Sequence, residues 1–149
     1  MRFLIACFAF VFALGLAAPA SAQGFPPGPW RGLWTTEASP GYAYQAELNF
    51  TIENSGRVSG SINWMLVSSP RSEDQPKIGR RGVEYVEGAF DASTGALTLH
   101  GTRVDDANGI ISPDVYRLAV SPNGQYISGL TENNGTWQGR INLTRFGPQ

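Results

Sequence analysis

A period of two in the apolar residues restricts this chain more than any other feature. From Tyr44 to Ile52 every even position is apolar or aromatic (Tyr44, Ala46, Leu48, Phe50, Ile52) and every odd one polar (Gln45, Glu47, Asn49, Thr51). Successive side chains of a strand point to opposite faces, so this segment buries one face and wets the other, as antiparallel sheets do. Beyond the tight turn Asn54-Ser55-Gly56 the pattern resumes. Val58, Gly60, Ile62, Trp64 and Leu66 fall on one side, and Arg57, Ser59, Ser61 and Asn63 on the other. No long stripe with the helical period of 3.6 follows residue 22, so an all-β domain is expected.

The spacing predicts eight strands, near residues 30–36, 43–53, 57–67, 82–90, 96–103, 114–121, 125–132 and 135–145. Turn chemistry separates them, with Asn123-Gly124 and Asn134-Gly135 as the strongest hairpin signals. Short strands following one another through tight turns favour an eight-stranded antiparallel up-and-down meander barrel over residues 30–145. The long link over 68–82 keeps a β-sandwich as the alternative. A bulky apolar residue two positions before a glycine recurs at Trp30/Gly32, Val58/Gly60, Val86/Gly88, Leu99/Gly101, Ile127/Gly129 and Trp137/Gly139. Residues two apart share a face, so six strands carry a glycine on the inner side. Sharp coiling during closure is one reason for it; room for a bulky neighbour or a ligand is another.

A meander sends alternate connections to opposite ends. The short links near 54–56, 91–95 and 122–124 gather at one end; 37–42, 68–81, 104–113 and 133–134 gather at the other. The long-loop end is therefore the expected mouth, and Trp34, Tyr44, Trp64, Leu66, Tyr116 and Trp137 are expected beneath it. Arg80 and Arg81, closing the charged excursion 71–77, are candidates for meeting an anionic group at the rim. An eight-stranded barrel is also narrow enough for side chains to fill, so a solid core with an aromatic lid stands beside a true pocket.

Residues 1–22 read as a secretory signal of bacterial type: Arg2, an apolar run to Ala18, and Ala20-Ser21-Ala22 before cleavage. Its removal leaves 127 of the 149 residues, with 23–29 a flexible Pro-rich leader and the product periplasmic or secreted. With Arg2 gone, ten Lys and Arg face twelve Asp and Glu, a balance that excludes a broad nucleic-acid footprint. No membrane span is expected in the mature chain. The only cysteine, Cys7, leaves with the signal, and the one histidine, His100, falls on an outward phase. Nucleophilic triads and Cys/His metal sites therefore lack their residues, and neither a cofactor nor a metal is expected. Glu84 or Glu87 with Asp105 or Asp106 would be the only carboxylate pair for a hydrolase, and acidic residues on strand exteriors are ordinarily solvated. Asp105-Asp106-Ala107-Asn108-Gly109 reads as a turn, since it lacks the closing glutamate of a calcium loop.

Trp30-Arg31-Gly32-Leu33-Trp34 is similar to the Gly-x-Trp opening of the calycin group (lipocalins, fatty-acid-binding proteins and avidins), and Trp137-Gln138-Gly139 looks like the Trp-x-Gly of a late avidin strand. The Asp-centred set of avidins and the later lipocalin signatures have no match, so biotin binding is not carried over. The resemblance implies a small secreted barrel that holds one ligand. Together these features lead us to expect a non-enzymatic protein taking a small, partly apolar or aromatic ligand at the open end. The alternatives are an envelope protein-binding module or inhibitor acting through loops 68–81 and 104–113, and a barrel isomerase or cyclase by fold analogy.

Overall fold

A computed structural model describes residues 28–133 and 135–147. The segment 1–22 expected to be a signal, its expected cleavage point and most of the expected leader over 23–29 lie outside the described residues. Eight strands follow in order: β1 (Trp30–Thr36), β2 (Ala43–Ile52), β3 (Arg57–Ser68), β4 (Arg81–Asp91), β5 (Ala96–Asp105), β6 (Val115–Val120), β7 (Tyr126–Asn133) and β8 (Thr136–Arg145). Each pairs antiparallel with the next, and β1 pairs with β8 from Trp30↔Arg145 to Thr36↔Gly139, closing the barrel. The sandwich alternative falls here. The link over 68–81 does not cross to a second sheet; it leaves β3 and returns to pair β4 beside it.

The even phase of β2 and β3 is the inner one, as the alternation requires. Ala46, Leu48, Val58, Ile62, Trp64 and Leu66 are buried, while Gln45, Thr51 and Ser59 are exposed. Trp30, Leu97, Leu99, Leu118, Ile127, Ile141 and Leu143 extend this core around the ring. Phe50, Ile52, Phe90 and Val120 pack against it toward the tight-turn end.

The inner glycines divide into two groups by what a methyl group would meet. At Gly32, Gly60, Gly88 and Gly129 an added Cβ would lie 1.8–2.2 Å from a carbonyl oxygen of a neighbouring strand. Adjacent backbones approach there more closely than any side chain allows, which is how so narrow a sheet coils shut. At Gly101 the Cβ would meet Glu84 Oε1 at 2.2 Å, and at Gly139 it would meet Thr131 Oγ1 at 2.0 Å and the Trp34 ring at 2.6 Å. Those two glycines make room for side chains at the mouth.

The expectation for Trp137 is corrected by a bulge. Between β7 and β8 the register passes from Thr131↔Gly139 to Asn133↔Thr136, so one extra residue enters β8. A one-residue slip moves a side chain to the opposite face. Trp137 accordingly stands outside, with the guanidinium of exposed Arg117 4.1 Å from its ring centre.

Two substitutions test this geometry. Gly88→Ala should destabilise the barrel by about 1–3 kcal/mol in urea unfolding, whereas Ala89→Ser, exposed on the same strand, should stay within about 0.5 kcal/mol. Trp137→Ala should lose at most about 2 kcal/mol, well short of the ~3–5 kcal/mol of a buried indole.

Candidate functional site

The long-loop end of the barrel is hollow. An inner cavity of about 180 Å³ is lined by Trp34, Tyr44, Trp64, Glu84, Ile110, Ile111, Ser112, Asp114 and Asn133. An outer one of about 330 Å³ adjoins it through Trp34, Tyr44 and Ile110, and is completed by Thr36, Tyr42, Leu66, Arg71, Asp74, Lys77 and Gly109. The inner walls differ by side. Strands β1, β2 and β3 supply Trp34, Tyr44 and Trp64; β4, the link from β5 to β6 and the end of β7 supply Glu84, Ser112, Asp114 and Asn133.

The aromatic side follows from strand pairing. Trp34 is opposite Tyr44 across β1–β2, and Ala46, two residues along β2, is opposite Trp64. Same-face residues at these offsets lie within reach of one another's rings. The Tyr44 ring meets Trp34 at 5.5 Å and Trp64 at 6.1 Å, both edge-to-face, the favourable orientation for ring quadrupoles. Hydrogen bonds lock the rings: Trp34 Nε1 donates to Thr131 Oγ1 at 2.8 Å and the Tyr44 hydroxyl to the Ile110 carbonyl at 2.7 Å. Burial pushes the Tyr44 phenol up to about 12.

Glu84 anchors the polar side. Only 1% exposed, it accepts from Trp64 Nε1 at 3.1 Å, from the Tyr116 hydroxyl and from the Asp114 amide at 2.8 Å. Its neighbour Asp114 accepts from Asn133 Nδ2, whose other contact is Ser112 Oγ. Burial pushes the Glu84 carboxyl up to about 7 against the downward pull of its three donors, and the charge of Asp114 adds to the rise. Burial likewise raises Asp114 to about 6, opposed by Asn133 and Thr131. Tyr116, fully buried beside these carboxylates, is held well above its ordinary value.

The rim is built by the two long links. Between β3 and β4 a short 3-10 helix, Ser72–Lys77, brings Asp74 to the Tyr42 hydroxyl and to Ser69 Oγ. These donors hold the Asp74 carboxyl below its ordinary range. Lys77 pairs with Asp74 at 3.5 Å and reaches the Gly109 carbonyl at 3.3 Å, tying this link to the one between β5 and β6. The second link is shaped by Asp106, whose carboxylate accepts the amides of Asn108, Ile110 and Ile111. That is the turn expected of 105–109, and it sets Ile110 and Ile111 on the cavity.

Of the expected site residues, Trp34, Tyr44 and Trp64 converge on the inner cavity, Leu66 lines the outer one, and Tyr116 lies beneath as a donor to Glu84. Trp137 faces outward. Arg80 and Arg81 are exposed and line neither cavity; they take part in the rim through their carbonyls, which accept the Leu66 amide and Asn108 Nδ2. The basic residues at the outer cavity are instead Arg71 and Lys77. Glu84 does not belong with exterior carboxylates: it shares the inner phase of Val86, Gly88 and Phe90, and that phase was the available signal for it. Asp105 pairs with Arg103 at 2.8 Å and Glu87 with Arg57 at 3.4 Å on the outside, so neither joins Glu84. His100 is exposed, and no metal-binding group of three His, Cys, Asp or Glu side chains occurs among the described residues. No protein-family model and no curated protein matches the chain.

The Glu84 environment makes stability depend on pH. Its ordinary value of 4.5 rises to about 7 on folding, so below pH ~4.5 both states hold the proton and the group contributes no pH dependence. As pH climbs toward 7 the unfolded chain ionises first, and stability falls by about 3 kcal/mol before levelling above pH ~8. Asp114 acts in the same direction at lower pH. Urea unfolding of wild type and Glu84→Gln at pH 5 and 8 checks this. The wild type should lose stability between them by a few kcal/mol more than the variant; a difference in slope under about 1 kcal/mol would mean a hydrated carboxyl.

Proposed function

We propose that this protein is an exported, non-enzymatic binding module that takes a small, partly apolar ligand at the open end of its barrel. The observation that carries the reading is the inner cavity itself. Its rings are fixed by hydrogen bonds on one side, and a few convergent polar groups stand on the other, the composition expected of a small-molecule site. Its volume of about 180 Å³ resembles the roughly 150 Å³ at which an engineered apolar cavity accepts benzene. The segment 1–22 supports export, and the resemblance to calycins supports a one-ligand barrel. The protein-binding alternative would use loops 68–81 and 104–113. Their mutual tie at Lys77 and Gly109, and their contributions to both cavities, favour a role as the rim of a small-molecule site. The three groups donating to Glu84 all come from the wall, so the fold itself holds this carboxyl in place beside the cavity.

Calorimetric titration with small aromatics, neutral and charged, tests this reading. At least one should bind saturably, with a dissociation constant of roughly 0.1–1 mM for a ligand of this size. Ile111→Phe, which fills the cavity from a half-buried loop position, should weaken that binding at least about tenfold. Absence of saturable binding across the panel would refute the assignment.

A further inference from the structure

The hydrogen-bonding inventory of the inner cavity is one-sided. Apart from the Ser112 hydroxyl, the donors on its walls are turned onto the walls themselves. Trp34 Nε1 is spent on Thr131, the Tyr44 hydroxyl on the Ile110 carbonyl, and Trp64 Nε1 and the Tyr116 hydroxyl on Glu84. Both hydrogens of the Asn133 amide go to Ser112 and Asp114. Acceptor capacity is left over: Glu84 Oε1 takes one amide at 2.8 Å, and a carboxylate oxygen accommodates two donors. A ligand that brings hydrogens therefore finds more partners here than one that brings acceptors.

Charge points the same way. Two carboxylates line the inner cavity, and none of its lining residues is a lysine, arginine or histidine. The basic residues at the mouth, Arg71 and Lys77, belong to the outer cavity; Lys77 is paired with Asp74 and the Arg71 guanidinium lies over the Tyr42 ring. Three aromatic rings complete the wall, and ring faces attract cations. An anion would face both carboxylates, with the Ser112 hydroxyl to set against them. A neutral molecule would fill the aromatic side and add no charge to offset the two carboxylates.

Building on the reading of this cavity as a ligand site, we propose that its ligand is a cation: a small aromatic or apolar body carrying a protonated amine, with the nitrogen at Glu84 and Asp114 and the body against Trp34, Tyr44 and Trp64. The titratable groups facing Glu84 are Asp114, from the link before β6, and Tyr116 of β6. β3 presents Trp64, which does not titrate, and β5 presents Gly101, which has no side chain. With Glu84 raised to about 7 and Asp114 to about 6, an arriving ammonium favours the ionised forms and expels protons.

The test compares 2-phenylethylamine, 2-phenylethanol and 3-phenylpropionate by calorimetry on the wild-type protein at pH 8, where both carboxyls are ionised and the amine is still protonated. The amine should bind at least about tenfold more tightly than the alcohol, and the carboxylate most weakly. At pH 7, repeating the amine titration in buffers of different ionisation enthalpy should show net proton release. Glu84→Gln and Asp114→Asn should each shrink the ratio of amine to alcohol affinity. Alcohol binding equal to or tighter than the amine's, or proton uptake, would overturn the cationic assignment and leave the ligand site standing. If none of the three binds, the cavity is not a site for ligands of this kind and both readings fall.

Discussion

The pairing of β1 with β8 is the constraint on which everything else in this molecule rests. No cysteine lies beyond residue 7, so within the described residues no disulfide staples the fold. Closure alone removes the exposed sheet edges that would otherwise recruit other chains. Closing eight short strands demands tight coiling, and tight coiling demands positions without a side chain. The four glycines whose Cβ would overlap a neighbouring carbonyl meet that demand. The same ring brings residues far apart in sequence together at its mouth, such as Trp34 with Thr131 and Glu84 with Asp114.

Within the ring, Glu84 is the point where packing and polarity meet. A carboxyl at this depth is tolerated because three donors converge on it from three directions, and because Gly101 of the adjacent strand leaves the space it occupies. Desolvation still outweighs the donors, which is why its proton affinity rises. A core assembled only for stability would place leucine or valine here. The buried carboxyl thus sets this end of the barrel apart from the apolar core below it.

The strands, their order and the end that carries the opening were legible because period-two alternation and Asn-Gly turns are local signals. Trp34, Tyr44 and Trp64 followed from the same phase. Trp137 did not, because a bulge spanning residues on two strands reverses its direction, and no local pattern announces where a register will slip. Glu84 was legible in principle, since it is in step with Val86 and Gly88, but the usual habit of carboxylates argued against reading it as inward. Asp114 and Asn133 were beyond reach. Their roles arise only when the end of β7 meets the link before β6, a contact set by closure.

The bulge in β8 has a consequence for traffic through the opening. By turning Trp137 away, it leaves the rings of Trp34, Tyr44 and Trp64 along one wall of the inner cavity, facing Glu84, Ser112, Asp114 and Asn133. A ligand of the proposed kind, with an oily end and a polar end, would meet matching surfaces in one orientation and mismatched ones in the other.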